Sequence, residues 1–254
     1  MSAEKLIVLG SGCGVPNPGR GSPGLLLSCR DRRVLIDAGP GTAHRASCAG
    51  TELKDIDLLL LTHLHLDHIT EVPFLLFSLR IAFVEPREKP FTIVGPEGLS
   101  EHYRKLTACY DNHVRPKDYE LAIVEAGQGA RTIAGFGLEA FPTEHTENSQ
   151  GYRIKTPEGR IVAVSGDTDI CPEIVELGRN ADLLVLECSM PDDMKAEGHL
   201  TPSEAGRIAA QADARRLLLV HMYPCCDGTD ITLQVSKEYP GQIIKGEDGL
   251  VIDL

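Results

Sequence analysis

Four ionisable side chains fall within six residues of the 254-residue chain, in the stretch LTHLHLDHIT at 61–70. They are His63, His65, Asp67 and His68, and they come directly after a run of four leucines. Such a run is typical of a buried strand, and the segment just past a strand end often carries binding groups. His63 and His65 are two residues apart, so an extended backbone places them on one side, whereas Asp67 and His68 follow the turn. The spacing predicts a pair of imidazoles and a carboxylate–imidazole pair, which is half the ligand set of a two-metal site.

Three further residues of metal-binding type stand at the ends of other apolar runs. They are His145 after the run at 137–143, Asp167 at the end of 160–167 and His221 at the end of 216–221. One residue of this kind would mean little, but four such positions in register indicate a single convergent site. Glu187 also ends an apolar run, where an unpaired carboxylate would be costly, so we expect it to have a partner.

The elements that must hold these side chains are predicted from short apolar runs bounded by turn residues. We predict strands at 5–10, 24–29, 33–39, 55–62, 91–95, 119–126, 130–135, 137–143, 151–156, 160–167, 182–187 and 216–221, and helices at 72–84, 98–110, 171–180 and 201–214. The last helix has a capping-box pattern, with Thr201, Pro202 and Glu204. No linker or repeat divides the chain, so we expect one domain over 1–254, built from two packed sheets with helices outside.

Composition restricts the partners. Lysines and arginines number 25 and acids 37, so the net charge of −12 argues against an extended nucleic-acid surface. The first ten residues have no basic region and only a short apolar run, which predicts neither a signal peptide nor a membrane segment. We therefore expect a cytoplasmic protein with reduced thiols that does not bind membranes. The apolar segment 72–84 predicts a covered surface, and hence a homodimer.

The pattern H-x-H-x-D-H, followed by His, Asp and His at later strand ends, resembles the metallo-β-lactamase fold superfamily. Within it the chain is most similar to the ribonuclease Z-like branch. The resemblance extends over nearly the whole chain and is carried by LGSGCGVPNPGRGSPGLLL (9–27), HTENSQGYRI (145–154), SGDT (165–168), LLVLECSM (183–190) and GHLTPSEAGRIAAQADARRLLLVH (198–221). The resemblance implies a four-layer αββα sandwich of two mixed β-sheets with outer helices.

The resemblance also implies roles for individual residues. It implies two divalent ions, each held by three side chains and both bridged by a carboxylate: His63, His65 and His145 for one ion, Asp67, His68 and His221 for the other, and Asp167 as the bridge. Zinc is the expected metal, with manganese or iron as alternative occupants. A hydroxide between the ions would attack the substrate, and Asp67 would help to orient it. His199 would be the general acid, with Glu187 fixing its tautomer.

Two features depart from the family pattern. Ribonuclease Z enzymes that mature transfer RNA carry a long flexible arm, which in the bacterial form lies between the GYRI-like strand and the GDT motif. Here GYRIKTPEGRIVAVSGDT (151–168) leaves no room for that arm, and Thr70 stands where the family usually has glycine. We therefore predict a phosphodiesterase for a small phosphodiester, such as a cyclic nucleotide, or a short oligonucleotide. The alternatives are a transfer-RNA 3′ endonuclease, a hydrolase of a lactone, thioester or β-lactam, and a metal-binding module without activity.

Overall fold

Two seven-stranded sheets make up the computed structural model, which describes residues 4–82, 85–127 and 129–254. The strands of the first sheet are β1 (Lys5–Gly10), β2 (Gly24–Cys29), β3 (Arg32–Ile36), β4 (Leu58–Leu60), β5 (Phe91–Gly95), β6 (Leu121–Glu125) and β14 (Val251–Asp253). The strands of the second are β7 (Arg131–Ile133), β8 (Phe136–Pro142), β9 (Gln150–Lys155), β10 (Ile161–Val164), β11 (Leu183–Glu187), β12 (Arg216–Val220) and β13 (Gln242–Lys245).

Each sheet is mixed, with parallel strands on one side and antiparallel strands on the other. The first has the order β14-β1-β2-β3-β4-β5-β6, and it is parallel from β3 to β6. The second has the order β13-β12-β11-β10-β9-β8-β7, and it is parallel from β10 to β13. Parallel strands have both faces covered, which explains why their sequences are apolar throughout.

Helices cover the outer faces of both sheets. They are α1 (Thr42–Cys48), α2 (Leu66–Ile69), α3 (Val72–Ile81), α4 (Leu99–Tyr110), α5 (Pro172–Gly178), α6 (Pro202–Gln211) and α7 (Ile231–Ser236). In β4, Leu58 and Leu60 belong to the buried cluster between the sheets, whereas Leu59 belongs to an outer cluster that includes residues of α1, α3 and α4. A third buried cluster joins the second sheet to α5, α6 and α7. The predicted four-layer αββα sandwich is confirmed.

Several predicted boundaries differ from the structure for local reasons. The strand predicted at 33–39 ends at Ile36, because Asp37 has a φ of 58° and leaves the extended conformation. The helix predicted at 72–84 ends at Ile81, and residues 83 and 84 lie outside the described residues. The capping box at Thr201 is present in α6. In the described part of the chain, no helix has the length and hydropathy needed to cross a membrane.

Candidate metal centre

The carboxyl ends of strands from both sheets meet at one rim of the sandwich, where parallel strand ends bring side chains together. The segments that follow these ends carry the predicted site residues: His63, His65, Asp67 and His68 after β4, His145 after β8, Asp167 after β10 and His221 after β12. All seven converge into two neighbouring groups. The structure therefore brings together every residue that the strand-end pattern in the sequence selected.

Asp167 lies between the two groups, and each of its carboxylate oxygens faces a different one. Its Oδ2 is 3.7 Å from Nε2 of His63 and 3.6 Å from Nε2 of His145. Its Oδ1 is 3.3 Å from Nε2 of both His68 and His221. This division of oxygens is the geometry that a carboxylate bridging two cations requires.

The other two residues, His65 in one group and Asp67 in the other, are the ones nearest to solvent. Nδ1 of His65 is 3.1 Å from Nε2 of His145, so both nitrogens point to the same place. Oδ2 of Asp67 is 3.4 Å from Nε2 of His221 and 3.7 Å from Nε2 of His68. In each group the candidate ligand atoms lie within 4.8 Å of one another, which is close enough to surround one ion.

Hydrogen bonds on the far side of the imidazoles fix the tautomers. In four rings Nδ1 has an oxygen partner, which leaves Nε2 to face Asp167. The pairs are His68 with Oδ2 of Asp37 (2.8 Å), His145 with the carbonyl of Gly198 (2.9 Å), His221 with Oγ of Ser189 (3.0 Å) and His63 with Oγ1 of Thr62 (3.1 Å). An outer partner of this kind is characteristic of metal-binding histidines.

The centre contains buried polar atoms that no protein group satisfies. Nε2 of His63, His68 and His221 and Oδ1 of Asp167 are buried without a hydrogen-bond partner. A buried polar group in that state costs about 1–3 kcal/mol, and here several of them face one another. A divalent cation in each group would satisfy them together, so the residues present fit the metal.

The ionisation of these groups supports the same interpretation. Burial, followed by the neighbouring His68, lowers the pKa of His63 to about 2, so its imidazole is neutral at neutral pH. Burial opposes ionisation of Asp167, but His221 and His68 hold its pKa well below the usual range. Burial is likewise outweighed at His68, where Asp167 and Asp37 raise the pKa, so a metal ion there must displace a proton.

The turn before Asp167 packs against the histidine-rich segment of the other sheet. Gly166 has a φ of 63°, and a Cβ at this position would lie 2.6 Å from Cβ of Thr62. A side chain there would therefore displace the carboxylate next to it. At Thr70 the φ of −60° is ordinary for a helix, and its hydroxyl donates to the carbonyl of Leu66, so glycine is not needed in this chain.

His199 and Glu187 form a hydrogen-bonded pair beside the centre. Nδ1 of His199 is 2.9 Å from Oε1 of Glu187, whose carboxylate also accepts from the Thr168 amide (2.8 Å) and the Ser189 hydroxyl (2.6 Å). The partner that we expected for Glu187 is thus present. Burial lowers the pKa of His199, but the hydrogen bond and charge of Glu187 outweigh it and raise the pKa above its ordinary value. The ring of His199 stacks against that of His221, with 5.6 Å between centroids.

Two supporting residues escaped the sequence interpretation. Asp37 accepts from His68 and from both the amide and the hydroxyl of Thr62, and it directly follows β3. The same strand-end rule could have identified it. Ser189, two residues after Glu187, contacts both Glu187 and His221, and its residue type gave no signal.

Comparison with known proteins gives the arrangement a family. A sequence model described as a beta-lactamase superfamily domain matches residues 32–222, which is most of the chain. The chain belongs to the metallo-β-lactamase superfamily. It is 30% identical to a ribonuclease Z of Kineococcus radiotolerans, over 87% of this chain and 84% of that protein. Its resemblance to the ribonuclease Z-like branch is therefore confirmed.

Solved structures show the same fold. The metallo-beta-lactamase fold protein YhfI from Bacillus subtilis aligns with a TM-score of 0.86 at 24% identity, over 100% of both chains. A diphosphatase of the PhnP family aligns with a TM-score of 0.74 at 21% identity, over 99% of this chain and 98% of that one. As a ribonuclease Z-like member of the metallo-β-lactamase superfamily, the protein is a metal-dependent hydrolase that binds divalent metal. The alternative of a module without activity is wrong.

Proposed function

We propose that the protein is a two-metal phosphodiesterase acting on a small phosphodiester or short oligonucleotide, with the whole chain forming one domain. The observation that carries the proposal is the position of Asp167, whose two oxygens face two separate groups of imidazoles. Six further ligands complete the groups: His63, His65 and His145 in one, Asp67, His68 and His221 in the other. The nitrogen-rich donor set favours zinc, with manganese or iron as alternatives. All eight cysteines are free thiols, which suits the cytoplasm.

Bound divalent ions would lower the pKa of a coordinated water to about 7 and offset the negative charge that grows on the phosphoryl group. The protein supplies the proton for the other half of the reaction. Because Glu187 takes Nδ1 of His199, the free Nε2 is left to protonate the leaving oxygen as its bond to phosphorus breaks. Asp67 helps to orient the attacking water.

The structure favours a small substrate. The hairpin between β9 and β10 closes through residues 156–160, where the Thr156 amide donates to the Arg160 carbonyl over 2.9 Å. No arm that could grasp RNA extends from this turn. A longer substrate would carry additional phosphates, which lysine or arginine side chains usually bind. In the described part of the chain, Asp67, Asp167 and Glu187 form ion pairs only with histidines, so they hold no lysine or arginine beside the centre.

A transfer-RNA 3′ endonuclease is the second candidate, because the relatives include proteins named ribonuclease Z. Such an activity would need an RNA-binding surface other than the arm. Hydrolysis of a lactone, thioester or β-lactam is less favoured, because such a reaction does not require the His199–Glu187 pair. The diphosphatase among the structural neighbours agrees with a phosphorus-centred reaction.

A substrate panel tests the proposal. Zinc-loaded and manganese-loaded protein should hydrolyse bis-p-nitrophenyl phosphate and at least one unactivated small diester, such as 2′,3′-cyclic AMP, 3′,5′-cyclic AMP or a dinucleotide. A precursor transfer RNA, a lactone, a thioester and a β-lactam complete the panel. Cleavage of the precursor transfer RNA at its 3′ end with no turnover of small diesters would replace the proposal by the second candidate. Turnover of acyl substrates alone would contradict both.

We also propose that the protein forms a homodimer through α2 and α3. Phe74 and Ile81 of α3 are exposed and lie two turns apart on the same side of the helix, and Leu66 of α2 is 75% exposed. Phe74 also borders a groove of about 460 Å³ that contains Phe77 and Tyr110. Large apolar side chains exposed beside such a groove are costly in water, and a second copy presenting the same residues would cover them symmetrically.

Phe74→Glu should convert the dimer into a monomer, because it places a charge beside the apolar groove. Analytical ultracentrifugation at several protein concentrations measures the change. Leu233→Glu, at an exposed leucine of α7, is the matched control and should leave the dimer intact. A wild-type protein that sediments as a monomer at every concentration would contradict the assignment of this face.

A further inference from the structure

Lys195 makes three contacts at the base of the segment that carries His199. Its ammonium group is 2.6 Å from Oδ1 of Asp169, 2.6 Å from the carbonyl oxygen of His199 and 2.7 Å from Oε2 of Glu204. An ammonium group has three protons to donate, so its hydrogen-bonding capacity is fully used. Lys195 is therefore committed to these partners and does not reach out to bind a phosphate.

These contacts join three elements that border the metal centre. Asp169 belongs to the segment after Asp167, and its amide donates to the carbonyl of Glu144, next to His145, over 2.7 Å. Glu204 lies in the first turn of α6 and closes the capping box. The carbonyl of His199 thus lies where the Asp167 segment, the His145 segment and the start of α6 meet.

A second contact ties the same segment to the metal centre. The Gly198 amide donates to Oδ2 of Asp169 over 3.1 Å, and the Gly198 carbonyl accepts from Nδ1 of His145 over 2.9 Å. Gly198 has a φ of 78°, and a Cβ there would lie 3.1 Å from Nδ1 of His145. Both ends of the 195–199 segment are consequently held in one position relative to the candidate ligands.

We propose that Lys195, which forms ion pairs with Asp169 and Glu204, is a positioning residue that holds His199 in place to protonate the leaving group. This inference rests on the proposed function and deepens it, because it assigns the support of the general acid. Lys195 itself transfers no proton. The proton passes from Nε2 of His199 to the leaving oxygen as the phosphorus–oxygen bond breaks, and Lys195 fixes the backbone from which that ring extends.

The ammonium group of Lys195 keeps its charge although the side chain is partly buried. Burial lowers the pKa of Lys195, but hydrogen bonds to Asp169 and Glu204 outweigh it and raise the pKa. Charged hydrogen bonds are shorter and stronger than neutral ones, so the contacts of Lys195 hold this segment more rigidly than amide hydrogen bonds alone would. A neutral side chain of equal length should therefore loosen it.

Lys195→Met should slow the hydrolysis of an unactivated diester by about 10–10²-fold in kcat, with KM within about twofold of wild type. A misplaced general acid forfeits part of its contribution of about 10²–10⁴-fold. Bis-p-nitrophenyl phosphate should be affected much less, because nitrophenolate leaves without protonation. The double variant with His199→Ala should be no slower than His199→Ala alone. Lys89→Met is the matched control, because the ammonium group of Lys89 donates in a similar way to Asp57 and to the Asp55 carbonyl in another part of the structure.

Proton NMR of the metal-free protein gives a readout that is independent of turnover. The Nδ1 proton of His199, bonded to the buried Glu187, should give a downfield resonance that His199→Ala removes. In Lys195→Met this resonance should shift or broaden, whereas in Lys89→Met it should not.

The outcomes separate the two proposals. If His199→Ala slows both substrates equally, or neither, the general acid of the proposed function is wrong. If His199→Ala shows the leaving-group dependence and Lys195→Met does not, only the positioning role is wrong. An equal loss on both substrates in Lys195→Met, or an unchanged Nδ1 resonance, would likewise overturn it.

Discussion

Asp167→Ala should bind almost no divalent metal and should hydrolyse no phosphodiester above background. Asp167 is the one carboxylate among the described residues that faces both groups of imidazoles, at 3.3–3.7 Å from four ring nitrogens. Loss of a mere outer partner of a metal ligand lowers affinity by about 10–100-fold, so loss of a ligand shared by two ions should exceed that range. Elemental analysis after dialysis against a defined zinc concentration measures the loss directly.

The thermal stability of the same variant provides a second measurement. A ligand that binds only the folded protein raises its melting temperature, so zinc should stabilise the wild type and should leave Asp167→Ala unchanged. Asp182→Ala is the control, because Asp182 precedes β11 at the opposite end of the same sheet. Two equivalents of zinc retained by Asp167→Ala would show that the assigned bridge is wrong.

The convergence of these side chains could be predicted from the sequence because the signal was local and regular. The residues of the metal motif follow a run of buried leucines, and His145, Asp167 and His221 each follow another strand. A side chain just past a buried strand has its height set by the sheet, so residue type and strand register together were sufficient. Asp37 obeys the same rule, because it directly follows β3, which ends at Ile36. It was missed because the predicted strand continued to residue 39, whereas Asp37 has a φ of 58° and is not extended.

Other features depend on contacts between segments that are far apart in the sequence. Nothing in the type of Ser189 indicates that its hydroxyl would contact Glu187, His199 and His221 together. Lys195 resembles any surface lysine until Asp169 and Glu204 are placed beside it. The sequence analysis also missed the short helices α1, α2 and α7 and the edge strands β13 and β14.

His199→Ala should keep the bound metal and slow the hydrolysis of an unactivated diester by about 10²–10⁴-fold, the range that general acid catalysis provides. The reason is the orientation of the ring. Nδ1 of His199 is held by Glu187, which is 1% exposed and takes two further hydrogen bonds. Removing the imidazole therefore removes the proton donor. Of the residues that hydrogen-bond to the candidate metal ligands, only Ser189 loses a contact.

The pattern across substrates distinguishes a proton donor from a metal ligand. A ring nitrogen of His199 lies within 4.8 Å of ligand atoms of Asp167 and His221, so a direct bond to an ion is the competing role. Under that role His199→Ala would lose metal and would slow every substrate equally. As a general acid it keeps the metal and spares bis-p-nitrophenyl phosphate, whose leaving group needs no proton. His44→Ala, at an exposed histidine of α1, is the matched control and should change neither metal content nor turnover.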